Sequence, residues 1–203
     1  ELFHLEGATR VVYPYSRLVA DPERFLDDDQ EPMAKHGLGA VYRKRMGGGT
    51  LRQSLSETRR AELIESYLVP FQQEFESAVQ ASLDANGRCL IVDCHSFPVA
   101  PLPYEPPPRS PREHRPEICI GTDDFHTLEA LADSVESLVM DKMEDGTSDE
   151  EVQINWPFAG TMVPSRFYGK NCLVQSIMIE VRRDLYWDDA KGQPSRQWAK
   201  TKA

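Results

Sequence analysis

Residues Leu90-Ile91-Val92-Asp93-Cys94-His95-Ser96-Phe97-Pro98 constrain the fold more than any other segment. Three apolar residues, two of them β-branched, carry no charge before Asp93, which is the pattern of a buried strand. An acid, a thiol, an imidazole and a hydroxyl then follow in consecutive positions, and Pro98 prevents the strand from continuing. In an open α/β sheet the carboxyl end of a strand is where ligands bind, because its side chains project from a rigid support into a crevice. His95 therefore stands where chemistry is usually done. A hydrogen-bonded structural histidine explains the same residues equally well.

Composition narrows the classes. The chain has 203 residues, of which 40% are hydrophobic and 28% charged, with a formal net charge of −10. That is enough chain for one substantial core. The negative charge argues against nucleic acid as a partner, since phosphate binding needs a basic footprint. It leaves room for a small anionic substrate, where local arginines matter more than net charge. No apolar run reaches membrane-spanning length, so no membrane partner is expected. Cys89, Cys94, Cys119 and Cys172 contain no CxxC pair, which disfavours a cysteine zinc site. Three of them lie in apolar, strand-like runs, which suits a reducing, cytoplasmic setting. The amino terminus shows neither the basic nor the apolar region of a signal peptide, and its first residues already read as structured.

The chain alternates strand-like and helix-like stretches. Residues 8–20 suggest a strand interrupted at Pro14, and Asp21-Pro22 a turn. Arg17 and Arg24 follow strand-like segments, where guanidinium groups suit bidentate capture of a carboxylate. Salt bridges to the acids at Asp27 to Asp29 are the alternative. A basic, glycine-rich stretch from Gly37 to Thr50 lacks the order of a phosphate loop and suggests a mobile pocket wall. Apolar spacing from Ser56 to Leu83 predicts a helix capped by Ser56, bent or split at Pro70 and ended by Asn86-Gly87. Residues 98–116 hold eight of the fifteen prolines and predict an extended excursion. A second buried strand follows over 116–122, then a helix over 128–143 closed by Gly146. A short strand begins at Gln153, and Leu173–Arg183 forms another with Glu180 near its end. The alternation indicates an α/β fold on a mixed, largely parallel sheet. A polar tail over 191–203 is expected to lack regular structure.

Two strand ends thus carry candidate chemistry, His95 and Glu180. Imidazole can ligate a metal and a nearby carboxylate can take a proton from water. Glu180 could equally pair with Arg182 or Arg183. Cys94 beside His95 is a poor nucleophile–base pair, because neighbours on a strand point to opposite faces.

Several motifs, taken in order, resemble the N-formylglutamate amidohydrolase family. They are Ser16-Arg17-Leu18-Val19 with Asp21-Pro22-Glu23-Arg24-Phe25, Gly39-Ala40-Val41-Tyr42, Asp93-Cys94-His95-Ser96 and Ile120-Gly121-Thr122. Asn155-Trp156-Pro157-Phe158-Ala159-Gly160 and the run from Gln175 to Tyr186 complete the likeness, which extends from about Thr9 to Trp187. The resemblance implies a zinc-dependent hydrolase of N-formyl or N-acyl amino acids. It implies a three-layer α/β/α sandwich like the zinc exopeptidases and carboxypeptidases, formed by residues 1–190 as a single domain. It further implies that His95 is a zinc ligand and Glu180 the catalytic base. Arg24 would polarise the carbonyl, and Arg17, Arg24, Ser96, Asn155 and Gly160 would bind substrate. The remaining zinc ligands are expected upstream of residue 1, from a strand and loop this chain lacks. A binding or regulatory protein that retains the scaffold without the metal is the competing expectation.

Overall fold

The structure is a computed structural model and describes residues 2–105, 107, 115–143 and 151–202. The chain divides into two compact units, one comprising Glu1–Ala8, Leu83–Pro101 and Glu105–Ala203, the other Thr9–Ser82 and Leu102–Tyr104.

The first unit is built on a sheet of four strands in the order β1-β4-β2-β3. These are β1 (Cys89–Phe97), β2 (Ile118–Gly121), β3 (Val152–Ile154) and β4 (Val174–Arg182). The β1·β4 and β2·β3 pairs are parallel and the β2·β4 pair is antiparallel, so the sheet is mixed and mostly parallel. Helix α3 (Glu129–Lys142) lies against one face, where Ile120, Val152 and Ile177 pack with Leu131, Val135 and Val139. Those helix residues recur at the four-residue interval that predicts the contact. Strand β1 lies at one edge of the described sheet, and Leu90 and Val92 are 55% and 36% exposed. The expected burial of that run is therefore only partial. An apolar run marks a strand without fixing whether the strand sits centrally or at an edge.

The carboxyl-terminal residues are ordered, against expectation. Short strands β5 (Trp187–Asp188) and β6 (Gln193–Pro194) pair, and α4 spans Trp198–Lys202. The hydroxyls of Ser195 and Thr201 both donate to the Leu185 carbonyl, at 2.9 and 2.7 Å. Trp198 packs its ring near Tyr186. Hydroxyl hydrogen bonds and one aromatic contact thus order a segment whose composition is polar.

The second unit is helical. Ser56 accepts a hydrogen bond from the Arg59 amide and begins α1 (Glu57–Leu63). A π-helical turn over Ile64–Leu68 leads into α2 (Val69–Asn86), which carries the chain toward β1. Pro70 is the second residue of α2, just past that turn: proline lacks an amide donor and obstructs the regular ladder, and the widened turn absorbs the mismatch. Gly87, at φ 70°, donates to the Leu83 carbonyl and ends α2. Ala20, Ala40, Val41, Leu63 and Leu68 form the core of this unit. Residues 9–20 do not form the expected strand; Val19 instead donates to the Ser16 carbonyl in a turn. Of the proline-rich excursion, Pro106, Pro108 and Pro111 lie outside the described residues, as does Gly146.

Candidate active site

The parallel pairing of β1 with β4 sets His95 directly beside Glu180. Residues paired in register across adjacent strands share a face at a spacing of about 4.8 Å. Asp93, two residues before His95, lies on that face as well. Its Oδ1 is 2.7 Å from His95 Nε2, and its Oδ2 accepts the Met162 amide at 2.9 Å. One carboxylate thus fixes the imidazole and ties it to the loop after β3. Asp93 is the residue whose role sequence reasoning passed over, although its i, i+2 spacing to His95 was visible. Ser96 points to the opposite face by alternation, where its hydroxyl accepts from Tyr186 at 2.8 Å.

Glu180 is 8% exposed. On its other side, antiparallel β2 sets Cys119 opposite it. The Cys119 thiol donates to the Phe158 carbonyl at 3.2 Å. Burial, with a smaller push from the Glu180 charge, raises this thiol to about 11. Cys94 is raised to about 11 by burial and then by the Asp93 charge. Both thiols are thus protonated near neutrality, which removes Cys94 as a nucleophile. Arg182, the expected alternative partner of Glu180, bonds to Asp184 and to the Arg115 carbonyl.

The loop from Asn155 to Met162 is clasped to the end of β2. Asn155, at φ 56°, accepts the Thr122 amide at 2.9 Å and donates to the Thr122 hydroxyl at 2.7 Å. Gly160, at φ 89°, donates its amide to the Thr122 carbonyl at 3.1 Å. The peptide bond between Trp156 and Pro157 is cis. A Cβ added at Gly121 would run into the Gly160 carbonyl and Met178. Asn155 and Gly160 therefore seat this loop against the end of β2, one through its side chain and the other through its backbone. Within this loop Phe158 packs edge-on against Phe97, and the Arg115 guanidinium lies 4.7 Å from the Phe97 ring centre while pairing with Glu105.

The two arginines lie in the other unit and meet at one carboxylate. Asp21 is fully buried, and Arg17 donates to both of its oxygens, at 3.0 Å and 3.2 Å from Nη2. Arg24 Nε is 3.3 Å from Asp21 Oδ2, and the Tyr42 hydroxyl donates to that same oxygen. Arg17 Nη2 also donates to Glu23 Oε2 at 2.5 Å, and Arg24 Nη1 lies 4.0 Å from Glu31. The ion-pair alternative thus has its acids at Asp21, Glu23 and Glu31. The Asp21 charge, after burial itself, raises the Tyr42 hydroxyl, and Tyr13 is raised to about 12 for the same two reasons. Asp21 was legible as the acid four residues after Arg17 and three before Arg24.

Zinc takes three or four protein ligands. Among the described residues no group of three or more His, Cys, Asp and Glu side chains is arranged to hold a metal ion, and His95 Nε2 faces Asp93. The described residues do not by themselves fit the ion.

On one face of this mixed α/β sheet an acid–imidazole pair and a buried glutamate stand side by side as candidate acid–base groups. The family model described as N-formylglutamate amidohydrolase matches residues 1–187. The chain belongs to that family, whose members are hydrolases acting on an amide. A crystal structure of N-formylglutamate amidohydrolase from Ralstonia eutropha JMP134 is similar, with a TM-score of 0.70 and 19% identity. The likeness covers 92% of this chain and 69% of that one. The gene product Atu2144 from Agrobacterium tumefaciens gives a TM-score of 0.59 at 22% identity, over 92% of this chain and 64% of that one. The chain therefore spans about two-thirds of the length of these structures, and at such identities the likeness concerns the fold. No curated protein matches the chain. Among the described residues no helix is long and apolar enough to cross a membrane.

Proposed function

We propose that this protein hydrolyses the amide of a small anionic N-formyl or N-acyl amino acid, similar to N-formylglutamate, with Glu180 taking the proton of the attacking water. The observation that carries the reading is the register of β1 and β4, which sets Glu180 beside the Asp93-held His95. Water alone is a weak nucleophile; a carboxylate in a dry setting is a better base than one in bulk solvent, and general-base assistance contributes about 10²–10⁴-fold. Arg24 would stabilise charge developing on the carbonyl oxygen, and Arg17 with Arg24 would hold the substrate carboxylate. Asn155 and Gly160 would shape and support the pocket, whereas Ser96, on the opposite face, would not reach it.

Zinc belongs to this proposal as well. His95 would be one ligand, and the others would come from outside the described residues. When bound, the ion would act as a Lewis acid toward the amide carbonyl. The three-layer, carboxypeptidase-like arrangement and a cytoplasmic setting complete the reading; the four free cysteines suit such a reducing compartment. Free amine release from a panel of N-formyl and N-acetyl amino acids, with zinc content measured on the same preparation, tests it. Turnover of at least one panel member with about one zinc per chain is expected. Absence of turnover in zinc-loaded protein would leave the binding-protein alternative standing.

A further inference from the structure

We infer that Ser176 is a positioning residue for His95, acting on it through the Met162 backbone and the Asp93 carboxylate. The inference deepens the proposed function and rests on its placing of His95 in the active site.

Ser176 stands on β4 four residues before Glu180, so alternation puts its side chain on the face that carries Glu180, Asp93 and His95. It is fully buried. Its backbone is held independently of its hydroxyl: the amide donates to the His126 carbonyl at 2.8 Å, and the carbonyl accepts the Thr127 hydroxyl at 2.6 Å. A hydroxyl has one hydrogen to give and can also accept. That of Ser176 donates to the Met162 carbonyl at 3.0 Å, so in its 2.6 Å contact with the Thr161 hydroxyl the donor is Thr161.

The Met162 amide in turn donates to Asp93 Oδ2 at 2.9 Å, and Asp93 Oδ1 lies 2.7 Å from His95 Nε2. An ionised carboxylate only accepts, so His95 carries a hydrogen on Nε2. Hydroxyl, peptide, carboxylate and imidazole thus form one run of hydrogen bonds from β4 to β1, with the N–H and the C=O of Met162 both committed to it. With Oδ2 anchored, the Asp93 carboxylate turns only by breaking a bond, and the anchor is a loop amide. Asn155 and Gly160 fasten that loop to Thr122, several residues earlier. At Met162 the fastening on the carbonyl side is Ser176. Removing its hydroxyl loosens the amide on Asp93, and carboxylate and ring are then free to turn together. A catalytic group misplaced by about 1 Å can lose ~10²-fold in rate.

The test uses the full chain as wild type, Ser176→Ala, Thr161→Val, Thr127→Val and Glu62→Gln. Thr127→Val removes a hydroxyl bond to the backbone of Ser176 and leaves the link to Met162, so it reports lost stability alone. Glu62 pairs with Arg59 on exposed α1 and is the unrelated control. Solvent exchange of the His95 Nε2–H and of the Met162 amide is followed by NMR on isotope-labelled protein at one neutral pH, and kcat and KM are measured for the best N-formyl amino acid. Wild type should show a resolved Nε2–H signal. In Ser176→Ala both protons should exchange about fivefold faster or more, and kcat should fall by about tenfold with KM little changed. Thr161→Val should act in the same direction by less. Thr127→Val should keep wild-type exchange despite a lower thermal midpoint, and Glu62→Gln should match wild type throughout. Wild-type exchange of both protons in Ser176→Ala, or equal acceleration in Thr127→Val, overturns the inference. Should Ser176→Ala not fold, Thr161→Val decides: wild-type exchange there overturns it as well. Faster exchange without turnover of any formyl amino acid by wild type upholds the inference and counts against the proposed function instead.

Discussion

Glu180 is a carboxylate with less than a tenth of its surface exposed, set in the sheet between an imidazole on β1 and a protonated thiol on β2. A charge in that position is costly unless its neighbours favour it, and such positions are enriched in functional groups. The Cys119 thiol, raised to about 11, adds no competing negative charge below strongly alkaline pH. Gly121 matters at the same scale, since the Gly160 carbonyl and Met178 occupy the space of a side chain there. Gly121→Ala is expected to cost about 1–3 kcal/mol, read from urea denaturation, because backbone as well as side chain must give way. A Gly121→Ala protein as stable as wild type would show that the loop is not seated against β2.

Among the elements, the loop from Asn155 to Met162 depends on Asn155, its non-glycine residue in the left-handed region. Asn155→Gly keeps the permitted backbone and loses the two hydrogen bonds to Thr122, a cost of about 1–2 kcal/mol. Asn155→Ala loses the same bonds and adds backbone strain, so its thermal midpoint should fall further than that of Asn155→Gly. Equal midpoints would mean that the backbone at φ 56° carries no strain. A second anchor is His126, fully buried between β4 and the segment after Pro164. Its Nδ1 donates to the Val174 carbonyl at 2.7 Å, and its Nε2 accepts the Gly169 amide at 2.8 Å. This tautomer is set by its two partners. The helices and strands themselves were largely legible, because apolar spacing reports a buried face directly. Strand β1, α2, α3 and β4 all lie where that spacing puts them. The failures have a common cause. Residues 8–20 have β-branched and aromatic composition but form no strand, with Val19 donating its amide in a turn, and residues 193–202 are polar yet ordered by hydroxyl bonds to Leu185. A local turn decides the first case and bonds across ten or more residues the second, and composition reports neither.

For the whole molecule, the site's legibility followed the same division. His95 and Glu180 could be placed at strand ends, but only the register makes them neighbours. Arg17 and Arg24 could be nominated and Asp21 stood close to both in sequence, but only the fold turns both guanidinium groups to it. Thiols and a phenol with raised pKa values also set the alkaline limit of the fold. Cys94 and Cys119 are raised from 9.0 to about 11, and Tyr13 from 10.0 to about 12. Each is neutral in the folded state at pH values where the unfolded chain has already lost the proton. The stability they contribute is therefore full below pH 9 and is lost as pH rises toward 11 and 12. The thermal midpoint should fall across that window, and Cys119→Ser should change the slope.

The central claim is that Glu180 is the base of an amide hydrolase. It is tested most directly by comparing wild type, Glu180→Gln and Glu62→Gln in single-turnover hydrolysis of the best N-formyl amino acid, with circular dichroism confirming the fold of each. The account predicts a loss of about 10²-fold or more in kcat for Glu180→Gln, little change in KM and no loss for Glu62→Gln. A correctly folded Glu180→Gln protein that turns over as fast as wild type would contradict it.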